Sequence, residues 1–587
     1  MRILSSSSRR AAVCLLACLT FIAACGPGGL PNGNGTRIDS GTPLPPCIVD
    51  GVTRCDGKTL LVCRGGAWTE QQVCTMECDA ARGCVSCLPG SGVCNSAGES
   101  QRCLPDGSGF EIEACDSVQG SMCDFKAGVC TGPCSRNSLG TSYIGCEYFP
   151  TVTGNAVLDS FQFAVAISNT SSTPAQVTIE DGALGAPITV NVAPGDVSVQ
   201  RLPWVAALKA CVGGGDTECG SPQNTGALAV RGAYHLRSTQ PVTVYQFNPL
   251  DYTDGGFSFS YSNDAALLLP TNVWTGNYVG AAYQAWSFVS PAWPSQLTIT
   301  AAEDGTTVGV NARAAAPGGL GSPAFNVGVP QSVMLNKGDA LQILSTSGDL
   351  TGSVVQANKR VQVIGGHYCT QMPHGFVACD HIEETMFPIE TLSTKYIVSM
   401  PAVPSNPQGR EQVVRIIATQ GDTTVVYDPP QSLPTNLSAT GSFIDAPHLT
   451  GDFHITANHK ILVVQYMESQ DAPGSGGTGD PAMTLAVATD QYRQSYLFHA
   501  PTNYETNYVN VTAPTGATVM LDGAPLGGFS PVGGSGFGVV RVQLGPGMNG
   551  NHTMSGDAPF GISVYGYGQY TSYWYPGGLD LATIPIE

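Results

Sequence analysis

Residues 365–384 read GGHYCTQMPHGFVACDHIEE and gather the side chains best suited to chemistry. His367, His374 and His381 recur every seven positions, with Cys369, Cys379, Asp380, Glu383 and Glu384 among them. Imidazole nitrogens, thiolates and carboxylates are zinc ligands, and a zinc ion with one open position would activate water for hydrolysis. Two features oppose that chemistry. The stretch has no HExxH, and a spacing of seven sends consecutive histidines to opposite faces of an extended chain. The other reading is a loop closed by a Cys369–Cys379 disulfide, with His367, His374, Asp380, His381 and Glu384 as contact residues. Bridging so short a loop restricts the unfolded chain by roughly 3 kcal/mol in the entropy model. That reading requires no metal and no cofactor; a metal-dependent hydrolase using residues 367–384 is its alternative.

The rest of the chain adds little to an enzyme. It has no GxSxG and no phosphate-cradling GxxxxGK[ST], and GGSGFG and GSGGTG are turn sequences with no helix after them. DYTDGG (251–256) offers oxygen ligands for calcium without completing a loop pattern.

The N-terminus bears on the compartment. Residues 1–24 place Arg2, Arg9 and Arg10 ahead of AAVCLLACLTFIAA, an apolar run too short to span a bilayer, which reads as an export signal. Its end, Ile22-Ala23-Ala24-Cys25, resembles the lipobox of bacterial lipoproteins, in which the peptide is cut before a cysteine that then carries lipid. The expectation is a lipidated Cys25 on a flexible stalk (25–46), rich in Gly and Pro, in an outer membrane lipoprotein facing the periplasm or the cell surface. With the signal removed, 22 basic residues face 44 acidic ones, a net charge of −22. Such a chain repels phosphate backbones, so nucleic acid is excluded, and the lipid is the one membrane contact expected.

Twenty-one cysteines fall into a telling arithmetic. Cys14 and Cys18 leave with the signal and Cys25 takes lipid. The remainder form three even groups: fourteen between Cys47 and Cys146, the pair Cys211 and Cys219, and the pair Cys369 and Cys379. In an oxidising compartment this points to disulfides throughout and no free thiol. Cys47, Cys55, Cys63 and Cys74 return about forty residues later as Cys87, Cys94, Cys103 and Cys115, so 47–146 reads as a disulfide module built from two repeats whose cores are too thin to hold unaided.

Beyond it the chain turns to alternating apolar and polar residues with Gly turns. Charged residues are 12% of the chain, and 72 Gly and 41 Pro punctuate it. That texture is all-β. One element recurs four times: RGAYHLRSTQPVTVYQF (231–247), TGSVVQANKRVQVIGGH (351–367), TGDFHITANHKILVVQY (450–466) and NGNHTMSGDAPFGISVYGY (549–567). Upstream of three copies stands a strand–turn–strand with Gly305, Gly421 or Gly516 at the tight turn. Downstream come an acidic or Asn-containing loop, an apolar run and an aromatic residue. We expect tandem β-sandwich-like modules at about 147–275, 276–394, 395–493 and 494–587; a four-bladed propeller is the competing closure, with repeats long for blades.

Gly366, His367, Cys369, Cys379, Asp380, His381, Glu384, Pro388 and Tyr396, together with APFGISVYGYGQYTSYWYPGGLDL (558–581), resemble the N-terminal domain of the IgGFc-binding protein family over about residues 150–587. The resemblance implies no enzyme activity and lends no binding residues. The functional expectation is an adhesion or recognition protein for an extracellular protein or glycan. YQAWSFVSPAWP (283–294) and QYTSYWYP (569–576) would be its contact aromatics, unless they cover module junctions. A structural envelope component without a specific ligand is the remaining alternative.

Overall fold

The computed structural model describes residues 46–209, 223–253, 258–288 and 292–583. The export signal, Cys25, nearly all of the stalk, and Cys211 with Cys219 lie outside them. The described residues fall into two compact units, the smaller formed by the chain up to Leu88 with 106–108 and the larger by the remainder.

In the smaller unit Thr53–Asp56, Thr59–Arg64 and Ala67–Val73 form an antiparallel meander beside a hairpin of Glu77–Asp79 and Gly83–Val85. Its buried cluster is little more than Leu60 against Cys74 and Cys78, with Cys55 at its edge. Cystines replace the missing apolar core: Cys47–Cys63, Cys55–Cys78 and Cys74–Cys84. The larger unit opens with the second copy of this device. Cys94–Cys123 and Cys115–Cys130 repeat two of those links in the same order, and Cys134–Cys146 leads into the β region.

The rest of the larger unit is four modules of one topology, each organised by a long strand that serves two sheets. In the first module this is Tyr234–Phe247. Its first half lies between Gly145–Tyr148 and Ala175–Asp181, with Leu236 opposite both Tyr148 and Ile179. Its second half lies between Phe163–Asn169 and a closing strand, Ala265–Leu268, with Val244 opposite both Ile167 and Leu268. The third module repeats this with Phe453–Met467 and closing strand Met483–Leu485, the fourth with Asn551–Gly568 and Thr571–Pro576. In the second module the long strand is broken into Val354–Ala357 and Val361–Thr370, so its two sheets separate; Asp380–Thr385 closes it. The switch falls at the motif's polar break, where a register shift lets one strand leave one sheet for the other.

A tyrosine pins each switch. The hydroxyls of Tyr148, Tyr278 and Tyr396 donate to the carbonyls of Val242, Val361 and Ile461 at 2.6, 2.8 and 2.8 Å, and that of Tyr496 donates to Phe560. Each also accepts the backbone N–H three residues earlier, from Gly145, Thr275, Ser393 and Arg493 at 2.9, 3.2, 3.0 and 3.0 Å. A bent strand leaves backbone groups unpaired, and one buried hydroxyl satisfies two of them.

Burial separates the two sheets of a module. Ala175–Asp181, Thr306–Asn311 and Thr423–Asp428 alternate buried and more exposed residues, as strands with one wet face do. Phe163–Asn169, Ser295–Ala301 and Gln412–Ala418 are buried throughout, because their second face packs against neighbouring modules. A single apolar cluster accordingly runs through all four modules, while the first and third also keep smaller cores, the first one's reaching Ala340 of the second module. Arg415 of the third module joins it to the second, donating to Ala282, Asp349 and Thr351 at 3.1, 2.8 and 2.7 Å. At the tight turns Gly305 and Gly516 have φ of 63° and 88°; at the third, Asp422 rather than Gly421 takes the left-handed conformation, with φ of 55°.

Candidate functional site

The four closing strands meet. Ala265–Leu268, Asp380–Thr385, Met483–Leu485 and Thr571–Pro576 pack beside one another, and a single carboxylate joins them. Asp264 Oδ1 accepts the N–H groups of Ala265 and Trp574 at 2.9 and 3.1 Å, and Oδ2 those of Glu383 and Met483 at 3.0 Å each. Every module contributes one donor. Asp264 is completely buried; burial drives its pKa upward, and the four N–H bonds work against that rise.

Residues 380–384 belong to this junction. Asp380 accepts from Thr571 Oγ1 at 2.9 Å and the Ser572 N–H at 3.2 Å, both in the fourth module. Glu384 accepts the Leu267 N–H of the first module at 3.1 Å. Glu383 takes Gln246 and Asn248 of the first module at 2.8 and 3.1 Å, and His381 Nε2 lies 3.2 Å from Asn248 Nδ2. Burial pushes the Asp380 and Glu384 carboxyls well above their ordinary range, the neighbouring Asp480 adding to the effect on Asp380.

The expected contact set therefore needs correction. His367, Asp380, His381 and Glu384 are fully buried, and the last three are hydrogen-bonded to or packed against neighbouring modules. His367 lies in the long strand, its Nδ1 accepting the Cys369 N–H at 3.1 Å, and burial drives its pKa far down. His374 alone lies half-exposed, its Nε2 3.2 Å from Thr370 Oγ1 and its ring edge-on to Tyr283. The three histidines do not assemble as a ligand set. Among the described residues, the groups of three potential metal ligands are Glu180–Asp181–His235 and Glu411–His448–Glu468. QYTSYWYP is also corrected: Tyr573, Trp574 and Tyr575 are buried in the junction. In the other aromatic stretch Tyr283 is buried, Trp286 and Trp293 are half-buried with rings 5.2 Å apart, and Phe288 is exposed.

Cys369 and Cys379 do form a disulfide. Their loop is one of four connectors between a long strand and its closing strand, roughly 248–264, 371–379, 468–482 and 569–570, and these interlock. The Ser469 N–H donates to Met372 O at 2.7 Å, the Met372 N–H to Ser469 Oγ at 2.9 Å, and the Asp471 N–H to Val377 O at 2.9 Å. Tyr570 N–H reaches Gln470 Oε1 at 2.9 Å and Gln569 N–H reaches the Tyr252 hydroxyl at 3.0 Å. His381 N–H to Ser262 Oγ at 3.3 Å completes the circuit between the second and first modules. Tyr261 and Tyr570 meet edge to face with centroids 6.3 Å apart, and both hold left-handed backbone, φ 49° and 57°. That conformation is unusual for a bulky residue and costs free energy that the surroundings must supply. Tyr261, Val377, Asp471 and Gln569 are exposed, one from each connector, beside the exposed turn residues Gly375, Pro473, Gly474, Gly476 and Gly477. Sequence reasoning found each connector as a variable loop but not their convergence, which only the third dimension brings about.

The family model for IgGFc binding protein matches residues 264–566, from the junction aspartate into the last long strand. The human IgGFc-binding protein is 26% identical over 236 residues, 39% of this chain and 4% of that much longer protein. With more than half its length matched, the chain belongs to the IgGFc-binding protein family.

Proposed function

We propose that the chain is a lipid-anchored binding protein of the cell envelope that recognises an extracellular protein through the face formed by the four connectors. The observation that carries this reading is their convergence. Four loops of unlike sequence, mounted on modules of one topology, share one surface whose described members are rich in Gly, Ser, Pro and Asp, with Tyr252, Tyr261, Tyr570, Phe259 and Phe376 among them. Rigid aromatics beside small turn residues, on loops held by a stiff scaffold, are what protein-recognition surfaces use. The name of the human relative supports a protein ligand, with the Fc part of IgG as the first probe. The anchor rests on Ile22-Ala23-Ala24-Cys25 and the stalk after it.

The test uses the secreted chain from residue 26 as bait, first against IgG Fc and then against extracellular fluid, with Tyr261→Ser and Tyr570→Gly as variants. Binding should weaken at least about tenfold in either variant, as for a truncated hot-spot tyrosine. A ligand held equally well by both would remove this face as the site. Membrane fractionation of Cys25→Ala tests the anchor separately.

A further inference from the structure

The geometry points to a transition-metal site, zinc in class, formed by Glu411, His448 and Glu468 at the edge of the connector face. Nothing about the proposed protein ligand is needed for it. His448 Nδ1 lies 3.3 Å from Glu411 Oε2 and 3.1 Å from Glu468 Oε1, and the potential ligand atoms of all three residues lie within 4.8 Å of one another. Zinc bonds of about 2.0–2.2 Å in tetrahedral array place neighbouring ligands about 3.3 Å apart, matching these separations.

Two further observations favour an ion over a plain ion pair. The first is donor counting. Glu468 Oε2 is also 3.2 Å from Nδ1, and Oε1 takes the His448 backbone N–H at 3.0 Å, so three carboxylate oxygens share at most two hydrogens, both from His448. The second is charge. Glu468 is fully buried, and among the described residues no Lys or Arg side chain forms an ion pair with it or with Glu411. The adjacent Arg410 spends its hydrogen bonds on the carbonyls of Glu468 and Thr478, at 2.6 and 2.9 Å, and reaches the Glu468 carboxylate only through its field, not by direct contact. Buried charges are ordinarily paired or bound to metal. The other three-ligand group shows the contrast: Arg237 holds Glu180 at 2.7 Å, and Arg231 holds Asp181, so its carboxylates are already neutralised.

The surroundings suit an open site. His448 is half-exposed, with Phe376 of the bridged loop edge-on to its ring at 5.8 Å. Gly474 of the next connector lies so close to Glu411 that a Cβ there would come within 2.3 Å of its carboxyl carbon. An ion would therefore tie the start of the 468–482 connector to the strands of its own module while leaving a coordination position to solvent. Imidazole with two carboxylates favours zinc or a neighbouring transition ion over calcium.

The experiment is zinc retention by the untagged full chain after equilibrium dialysis, with cobalt(II) substitution to report the ligand field. One zinc per chain is expected, and a cobalt spectrum of low coordination number. His448→Gly suits the left-handed φ of 56° and removes the imidazole; zinc affinity should fall at least about tenfold with the circular dichroism unchanged. Glu411→Gln, at the solvent side, should lower affinity in the same sense, while His235→Asn should leave the stoichiometry unaltered. Failure of the unaltered chain to retain zinc, retention by folded His448→Gly, or loss on His235→Asn would each overturn the assignment.

Discussion

Replacing Asp264 with Asn tests whether one carboxylate holds the four modules together. The substitution keeps shape and volume and changes one oxygen into an NH2 group. Each Asp264 oxygen accepts two backbone N–H groups, so whichever way the amide turns, two donors must face another donor. Hydrogen bonds to a charged group contribute about 1.5–3 kcal/mol each, so losing two costs about 3–6 kcal/mol. The loss should appear as a lower urea midpoint. It should also have an address: hydrogen exchange at Ala265, Glu383, Met483 and Trp574 should accelerate, in four segments far apart in sequence, while the disulfide repeats stay as protected as before. An Asp264→Asn chain with an unshifted midpoint and unchanged exchange in those four peptides would refute the reasoning.

Tyr396→Phe should cost about 1–3 kcal/mol, because the Ile461 carbonyl and the Ser393 N–H both lose their partner, and the fall in denaturation midpoint measures it. Burial raises the Asp480 carboxyl from 3.8 to about 7. A raised acid pKa stabilises the fold below the unfolded value and loses that contribution as pH climbs through the folded one. The melting temperature should therefore drop between about pH 4 and pH 7, and Asp480→Asn should lessen that drop, Asp380 and Glu384 contributing in the same sense. Opening the bridge with Cys369→Ser and Cys379→Ser should cost about 3 kcal/mol, read from the same denaturation curves, and should loosen the neighbouring connector that hydrogen-bonds to Met372 and Val377.

How much of this was legible in the chain depends on the range of the interaction. TGDFHITANHKILVVQY declares a strand with a break because alternation and a polar interruption are local signals. The Cys369–Cys379 bridge could be inferred from an even count within ten residues. Tyr278, Tyr396 and Tyr496 are visible as the aromatic after each apolar run, though their double hydrogen bond is not. Asp380, His381 and Glu384 misled for a physical reason. Charged side chains on a strand ordinarily mean a wet face, and these are dry only because strands from four modules, a hundred residues apart, converge on them. The one available hint was an aspartate at the head of three apolar runs, Asp264, Asp380 and Asp480, recurring where solvent-facing loops would have no need of it.

The junction at Asp264 also sets a number. A carboxylate offers about four lone-pair positions, and four N–H groups fill them. Open repeat arrays lengthen or shorten by whole units because each unit answers only to its neighbours. Here every unit answers to the same two oxygen atoms. A fifth copy would find no acceptor left, and a chain short of one would bury a lone pair with nothing to receive. The valence of a single side chain thus matches the number of modules, and the stability of the junction is a property of the closed set, not a sum over its members.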